Sequence, residues 1–190
     1  MGSEDVIEKF KETGALLEGH FVLTSGLHSN VYLQCALVLQ HPEQAESFGR
    51  EIAENFKDQN IQVVASPAIG GLIIGHEVAR ALGARFIWTE RENGKMTLRR
   101  GFTLSPSERI LVVEDVVTTG GSTRETIETL QAAGADVIAA ASIIDRSSGE
   151  ADVGAPRIAL ATLNVEAVDS ATCAACARGD VAIKPGSRKQ

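Results

Sequence analysis

A doubly wound α/β domain is the fold class this sequence predicts, on three observations. Short, continuous β-branched runs recur from Ile61 onward; helical segments alternate with them; and a glycine, Gly83 or Gly134, follows each of the two strongest helical segments. Runs that are apolar at every position belong to strands covered on both faces, which is how a parallel sheet reads. A glycine just past a helix supplies the left-handed residue that ends it. Five strands are expected, at residues 62–65, 85–88, 109–113, 136–144 and 157–162, with helices at 70–82 and 122–133. Ligands of such sheets bind at the carboxyl ends of the strands.

The preceding segments read as scaffold. Ser3, Glu4 and Asp5 before Val6, Ile7 and Phe10, with Gly14 beyond, predict a short helix capped by Ser3 that acts as a lid or an edge element. Residues 21–23 and 31–33 are β-rich runs separated by turn formers, Thr24-Ser25-Gly26 and Ser29-Asn30, and predict a small antiparallel piece. Pro42 opens a helix whose apolar stripe is Phe48, Ile52, Ala53 and Phe56.

The 190 residues suffice for one main domain with a small appendage. A net charge of -7, from 18 Lys and Arg against 25 Asp and Glu, speaks against general nucleic-acid binding, which needs clustered basic residues. One stretch reverses the sign: Arg85, Arg91, Lys95, Arg99, Arg100 and Arg109 outnumber Glu90, Glu92 and Glu108, a patch suited to a small polyanion. No apolar run reaches the roughly 18 residues of a membrane span. The acidic start (Glu4, Asp5, Glu8) is unlike a secretory leader, so a cytoplasmic protein is expected. Three cysteines argue against a disulfide framework. Cys35 reads as ordinary core. Cys173 and Cys176 form a lone C-x-x-C that reads as two small apolar residues in a C-terminal hairpin, with a metal or redox role as the alternative.

Chemistry concentrates in "VVEDVVTTGGST", residues 112–123. An apolar strand runs into Glu114 and Asp115, then into Val116, Val117, Thr118, Thr119, Gly120, Gly121, Ser122 and Thr123, where a helix begins. Glycines let the backbone approach a ligand, and a helix start offers unpaired amides and partial positive charge to a phosphate. A tight strand-to-helix turn capped by Ser122 is the plain alternative. The two carboxylates weigh against it, because ionised groups at the end of a central strand suit sugar hydroxyls or a hydrated cation. No Gly-Lys-Ser follows, which excludes a Walker-type nucleotide site. A second glycine pair, Gly70-Gly71 in "ASPAIGGLIIG", could take a second anion or could simply be close packing of helix on sheet.

The segment "VVEDVVTTGGST" resembles the 5-phosphoribosyl 1-pyrophosphate signature of the type I phosphoribosyltransferases. With "HFVLTSGLHSNVYLQ", "SPAIGG", "ERENGKMTLRRGF" and "IIDR", the whole chain is similar to the orotate phosphoribosyltransferases. That resemblance implies a single domain, with an α/β core at 60–162 and hood elements at 1–40 and 163–190. It implies Mg2+-dependent transfer of ribose 5-phosphate to orotate in pyrimidine biosynthesis, by a homodimer whose mobile loop closes over the neighbour's pyrophosphate. Glu114 and Asp115 would contact the ribose hydroxyls, residues 116–122 would wrap the 5-phosphate, and Ile69 and Gly70 would reach the pyrophosphate. Thr118 and Arg146 would hold orotate, with Ser25, Gly26 and Tyr32 beside its ring. Asp115, Lys95 and Arg99 are the catalytic candidates, and Mg2+ would be held mainly by substrate with Glu114 and Asp115 nearby. A non-proline cis peptide at Ala68-Ile69 is implied as well.

The chain departs from the pattern of many relatives in two places. Its basic loop contains no histidine, so Arg91, Lys95, Arg99 and Arg100 are the candidates for the leaving group; Asn93-Gly94 predicts that this loop is a hairpin, with a merely solvated basic face as the alternative. Gly70 stands where some relatives have lysine. Arg146 as a planar donor fork suits a carboxylate, while a surface arginine paired with Asp145 is the other reading. A phosphoribosyltransferase for a purine or other base, and a non-catalytic sensor of the donor, stay open on sequence grounds.

Overall fold

The computed structural model describes residues 1–23 and 25–185. In chain order its elements are α1 (Ser3–Glu12), β1 (Leu16–Val22), β2 (His28–Leu33), α2 (Cys35–Leu39), α3 (Pro42–Glu54), β3 (Val63–Pro67), α4 (Leu72–Leu82) and β4 (Arg85–Glu92). There follow β5 (Lys95–Leu98), β6 (Arg109–Val117), α5 (Gly121–Ala132), β7 (Asp136–Asp145), β8 (Arg157–Thr162), β9 (Ala167–Val168) and α6 (Ala174–Ala177).

The main sheet has the order β5-β4-β3-β6-β7-β8. Its five parallel strands are those expected, and a sixth, β5, adds antiparallel to β4. That added strand is the second arm of the Asn93-Gly94 hairpin: φ is +51° at Asn93 and +81° at Gly94, the paired left-handed residues of a two-residue hairpin turn. Consecutive residues of β6 serve opposite faces. Leu111 and Val113 join a core with Phe10, Phe48, Ile52 and Ile74 beneath α1, α3 and α4. Ile110 and Val112 join a second core with Ile127 and Leu130 of α5. This two-faced burial is why β6 is an unbroken apolar run.

Strands β1, β2 and β9 form a separate antiparallel sheet in the order β1-β2-β9. Ser29 and Asn30, read above as turn formers, lie inside β2, because the register with β1 runs through Ser29 and only the tighter Ser25-Gly26 region turns. Thr24 of that turn and residues 186–190 lie outside the described residues. The cap of α1 is Gly2, not Ser3; the Gly2 amide donates to the Asp5 carboxylate at 2.8 Å. Val6 and Phe10 of α1 are fully buried, so the helix is an edge element of the core beside β8 and not a lid. Among the described residues no helix is long and apolar enough to cross a membrane.

Candidate active site

The tip of β6 positions the first group of candidates. The strand stays paired with β7 out to Val117↔Asp145, beyond the apolar run, so Glu114 and Asp115 are carried on rigid backbone. Glu114 is buried, and burial, reinforced by the adjacent Asp115 carboxylate, pushes its pKa up to about 9. Burial also raises Asp115, against the Val116 amide that donates to its Oδ1 at 2.8 Å. The Cys35 thiol contacts Asp115, and burial followed by that carboxylate raises the thiol well above its ordinary value. Two carboxyls that resist ionisation at one strand tip are short of positive charge, which a ligand cation or sugar hydroxyls can supply.

Beyond the tip, Val116 to Thr123 line a concavity of about 160 Å³ together with Glu114. Gly120 has φ +78° and caps α5. The first intrahelical bond is Arg124 N–H to Gly120 C=O at 2.8 Å, so the amides of Gly121, Ser122 and Thr123 precede it and line an anion-ready cup. Thr118, Thr119 and Ser122 are exposed at its rim, whereas Thr123 is buried and directs its hydroxyl toward Glu114. Ser122 does not cap the helix with its side chain, which removes the plain turn-and-cap reading.

The Ala68-Ile69 peptide is cis, as the resemblance implies, and Ile69 is 83% exposed beside it. Gly70 and Gly71 have different reasons to be glycine. A Cβ at Gly70 would lie 2.8 Å from the Asp115 carboxylate, whereas one at Gly71 would lie 2.8 Å from the Val113 carbonyl and 2.9 Å from Ser66 Cβ. Gly71 is close packing of helix on sheet; Gly70 faces the site.

Arg146 follows β7, and its amide donates to the Val117 carbonyl at 2.8 Å, which sets it next to Thr118. Asp145 is not its partner. Arg157 Nη1 holds Asp145 at 3.0 Å, and Arg146 Nε is buried with no hydrogen-bond partner among the described residues. Burial lowers the Arg146 pKa, opposed by Cys35 and Tyr32, so these residues share one neighbourhood. Ser25 and Gly26 are exposed in the β1–β2 turn, where the bonds run Gly26 N–H to Leu23 C=O and Leu27 N–H to Ser25 Oγ. Those hydrogen bonds do not join them to Arg146.

The basic candidates divide by commitment. Arg100 makes a two-point contact with Glu90 at 2.7 and 3.1 Å, Arg91 reaches Glu125 at 2.7 Å, and Arg99 lies 3.4 Å from Glu92. Arg100 and the Trp88 indole hold Glu90 near pKa 2. Lys95 is exposed, and its side chain has no ion pair or hydrogen bond among the described residues. Sequence reasoning missed the Cys35–Asp115 contact and the glutamates that occupy the arginines; the excess of Glu90 and Glu92 opposite the hairpin arm was the available signal for the latter.

The chain that folds into this parallel sheet, carboxylate-tipped strand and helix start belongs to the phosphoribosyl transferase domain family, whose model matches residues 38–174. More narrowly, the chain belongs to the orotate phosphoribosyltransferase family. It is 51% identical over 189 residues to an orotate phosphoribosyltransferase of Desulforamulus reducens, covering 100% of this chain and 99% of that one. It is 52% identical to one of Pelotomaculum thermopropionicum, covering 100% of both. The crystal structure of orotate phosphoribosyltransferase from Aeropyrum pernix superposes with a TM-score of 0.66 at 30% identity, over 83% of this chain and 93% of that one.

Proposed function

We propose that the chain transfers ribose 5-phosphate from 5-phosphoribosyl 1-pyrophosphate to orotate, giving orotidine 5-phosphate and pyrophosphate in pyrimidine biosynthesis. The observation that supports this is the continuity of the β6 tip with the α5 cup: Glu114 and Asp115 lie on β6, and the chain runs on from them to the amides of Gly121 to Thr123. Residues 116–122 wrap the 5-phosphate, and Ile69 and Gly70 lie toward the pyrophosphate. Arg146, with its unpaired Nε, receives the orotate carboxylate beside Thr118 and Tyr32. Ser25 and Gly26 belong to the hood over the base.

Orotate N1 attacks C1 of the ribose while the C1–oxygen bond to pyrophosphate breaks ahead of it, so positive charge builds on the sugar and negative charge on the leaving oxygen. No covalent enzyme nucleophile is needed. The residues align two anchored ends of the donor and place Asp115 against the sugar, and Lys95 and Arg99 meet the leaving group. The oxygen donors Glu114 and Asp115, short of positive charge, fit Mg2+ held mainly by the substrate; bound there, Mg2+ would neutralise charge on the pyrophosphate. A homodimer, in which the β4–β5 hairpin of one subunit closes over the neighbour's site, explains how an exposed basic hairpin serves a pocket it does not line. Free thiols at Cys35, Cys173 and Cys176 fit a reducing cytoplasm.

The test is pyrophosphate release with donor and Mg2+ and each of orotate, hypoxanthine, adenine and uracil. Release with orotate alone is expected; release with a purine instead would move the assignment to another base.

A further inference from the structure

Two histidines and two cysteines from opposite ends of the chain converge in the β1-β2-β9 sheet. Their ligand atoms all lie within 4.8 Å of one another. His20 and Val22 are two apart on β1, and Val22 is registered with His28, so the imidazoles are diagonal neighbours on one face. β9 pairs with β2 through His28↔Val168 and brings the C-terminal segment alongside. Cys173 then caps α6 and Cys176 lies within it, so the C-x-x-C sits at a helix start and not in the expected hairpin.

We propose that His20, His28, Cys173 and Cys176 form a tetrahedral structural site for a zinc-class divalent cation that staples the C-terminal segment to the hood sheet. Nitrogen-to-sulfur distances are 3.4 Å (His20 Nε2 to Cys173), 3.7 Å (His20 Nε2 to Cys176) and 3.3 Å (His28 Nδ1 to Cys176). Bonds of usual length to a tetrahedral Zn2+ put such atoms about 3.5 Å apart. The imidazole nitrogens, at 2.7 Å, would separate by about 0.6 Å to reach that geometry.

The alternative, a purely hydrogen-bonded cluster, fails on inventory. His20 Nδ1 lies 3.0 Å from the Asp180 carbonyl, which can only accept, so Nδ1 carries the hydrogen and Nε2 presents its lone pair to the cluster. With the His28 hydrogen on Nδ1, it and two thiol hydrogens compete for that single lone pair, since sulfur is a weak acceptor; with it on Nε2, two imidazole lone pairs face each other at 2.7 Å. A dication displaces the two thiol protons, leaves the His28 hydrogen on Nε2 and keeps the group neutral. The same Asp180 contact is the kind of outer hydrogen bond that orients a ligating histidine.

Otherwise the segment is held by backbone pairing, through β9 on β2 and Ile183 beside β1, with little apolar burial. Between residues 164 and 185 only Cys173 is buried, while Val181 and Ile183 are 86% and 61% exposed. A stretch with so little apolar core needs a cross-link to stay docked. A cavity of about 740 Å³ lined by His20, His28, Cys173 and Asp180 provides an entry path for the ion.

The test uses the full chain. Stripped of metal under reducing conditions and titrated with Co2+, the wild type is expected to develop a thiolate charge-transfer band and visible d–d bands that saturate at one ion per chain, and Zn2+ should abolish them. Unstripped protein should carry close to one zinc per chain by elemental analysis, and Cys173→Ser/Cys176→Ser should lose it. Chelation should lower the melting temperature by several degrees and expose two thiols to a thiol reagent, with Zn2+ reversing both. Absence of the charge-transfer band in folded wild type, or a mass lower by two hydrogens that marks a Cys173–Cys176 disulfide, would overturn the site whether or not the variant folds.

Discussion

Asp145 is bound by Arg157 at 3.0 Å and not by its neighbour Arg146. The Ser147 amide and hydroxyl, at 2.8 and 2.6 Å, and the Gly149 amide, at 2.9 Å, complete its shell. Although burial alone would raise it, these donors hold the Asp145 carboxyl below its ordinary value. Arg146 is thereby left with a half-buried guanidinium whose Nε has no partner among the described residues. Arg146→Ala should reduce kcat/KM for orotate by about 10- to 100-fold, the worth of a hydrogen bond to a charged group. Arg146→Lys should recover little, because it keeps the charge and loses the planar fork. An unchanged kcat/KM for orotate in both variants would remove Arg146 from the base site.

Lys95 is the uncommitted cation of the hairpin, whereas Arg100 is spent on Glu90. Lys95→Ala should therefore lower turnover about 100-fold, the scale of one transition-state electrostatic contact, and Arg100→Ala should act less. The melting temperature of Lys95→Ala should stay at the wild-type value. If the hairpin serves the neighbouring subunit, mixing Lys95→Ala with Asp115→Asn should restore roughly a quarter of wild-type activity through mixed dimers that hold one intact site. No recovery after subunit exchange would confine each hairpin to its own site.

Glu114 gives stability a pH dependence whose sign is fixed. With a folded pKa of about 9 against an ordinary 4.5, the folded chain binds more protons than the unfolded chain between those values. The contribution is fully present below about 4.5 and is lost as pH rises to about 9. Glu114→Gln should flatten the fall in melting temperature across that window in ligand-free protein. Equal slopes in the two proteins would mean that Glu114 is already ionised in the fold.

The sheet was legible because both faces of its central strands β3, β6 and β7 are covered, which writes an unbroken apolar run into sequence. Strand ends were not. The apolar run ends at Val113 with Glu114 and Asp115 at its tip, yet pairing with β7 carries β6 to Val117; polar residues at a strand end hide how far it runs. The cup was readable from local pattern, whereas Arg146 was singled out only by the resemblance that "IIDR" carries. The His20–Cys173 meeting was not readable, because partners 153 residues apart leave no local period.

The central claim is that a carboxylate-tipped strand feeding the α5 cup receives a phosphorylated sugar. Calorimetric titration of 5-phosphoribosyl 1-pyrophosphate with Mg2+ into the wild-type chain tests it most directly. Saturable binding at one donor per chain, competed by ribose 5-phosphate, is the predicted result. No heat of binding from a folded protein, or binding indifferent to ribose 5-phosphate, would contradict it.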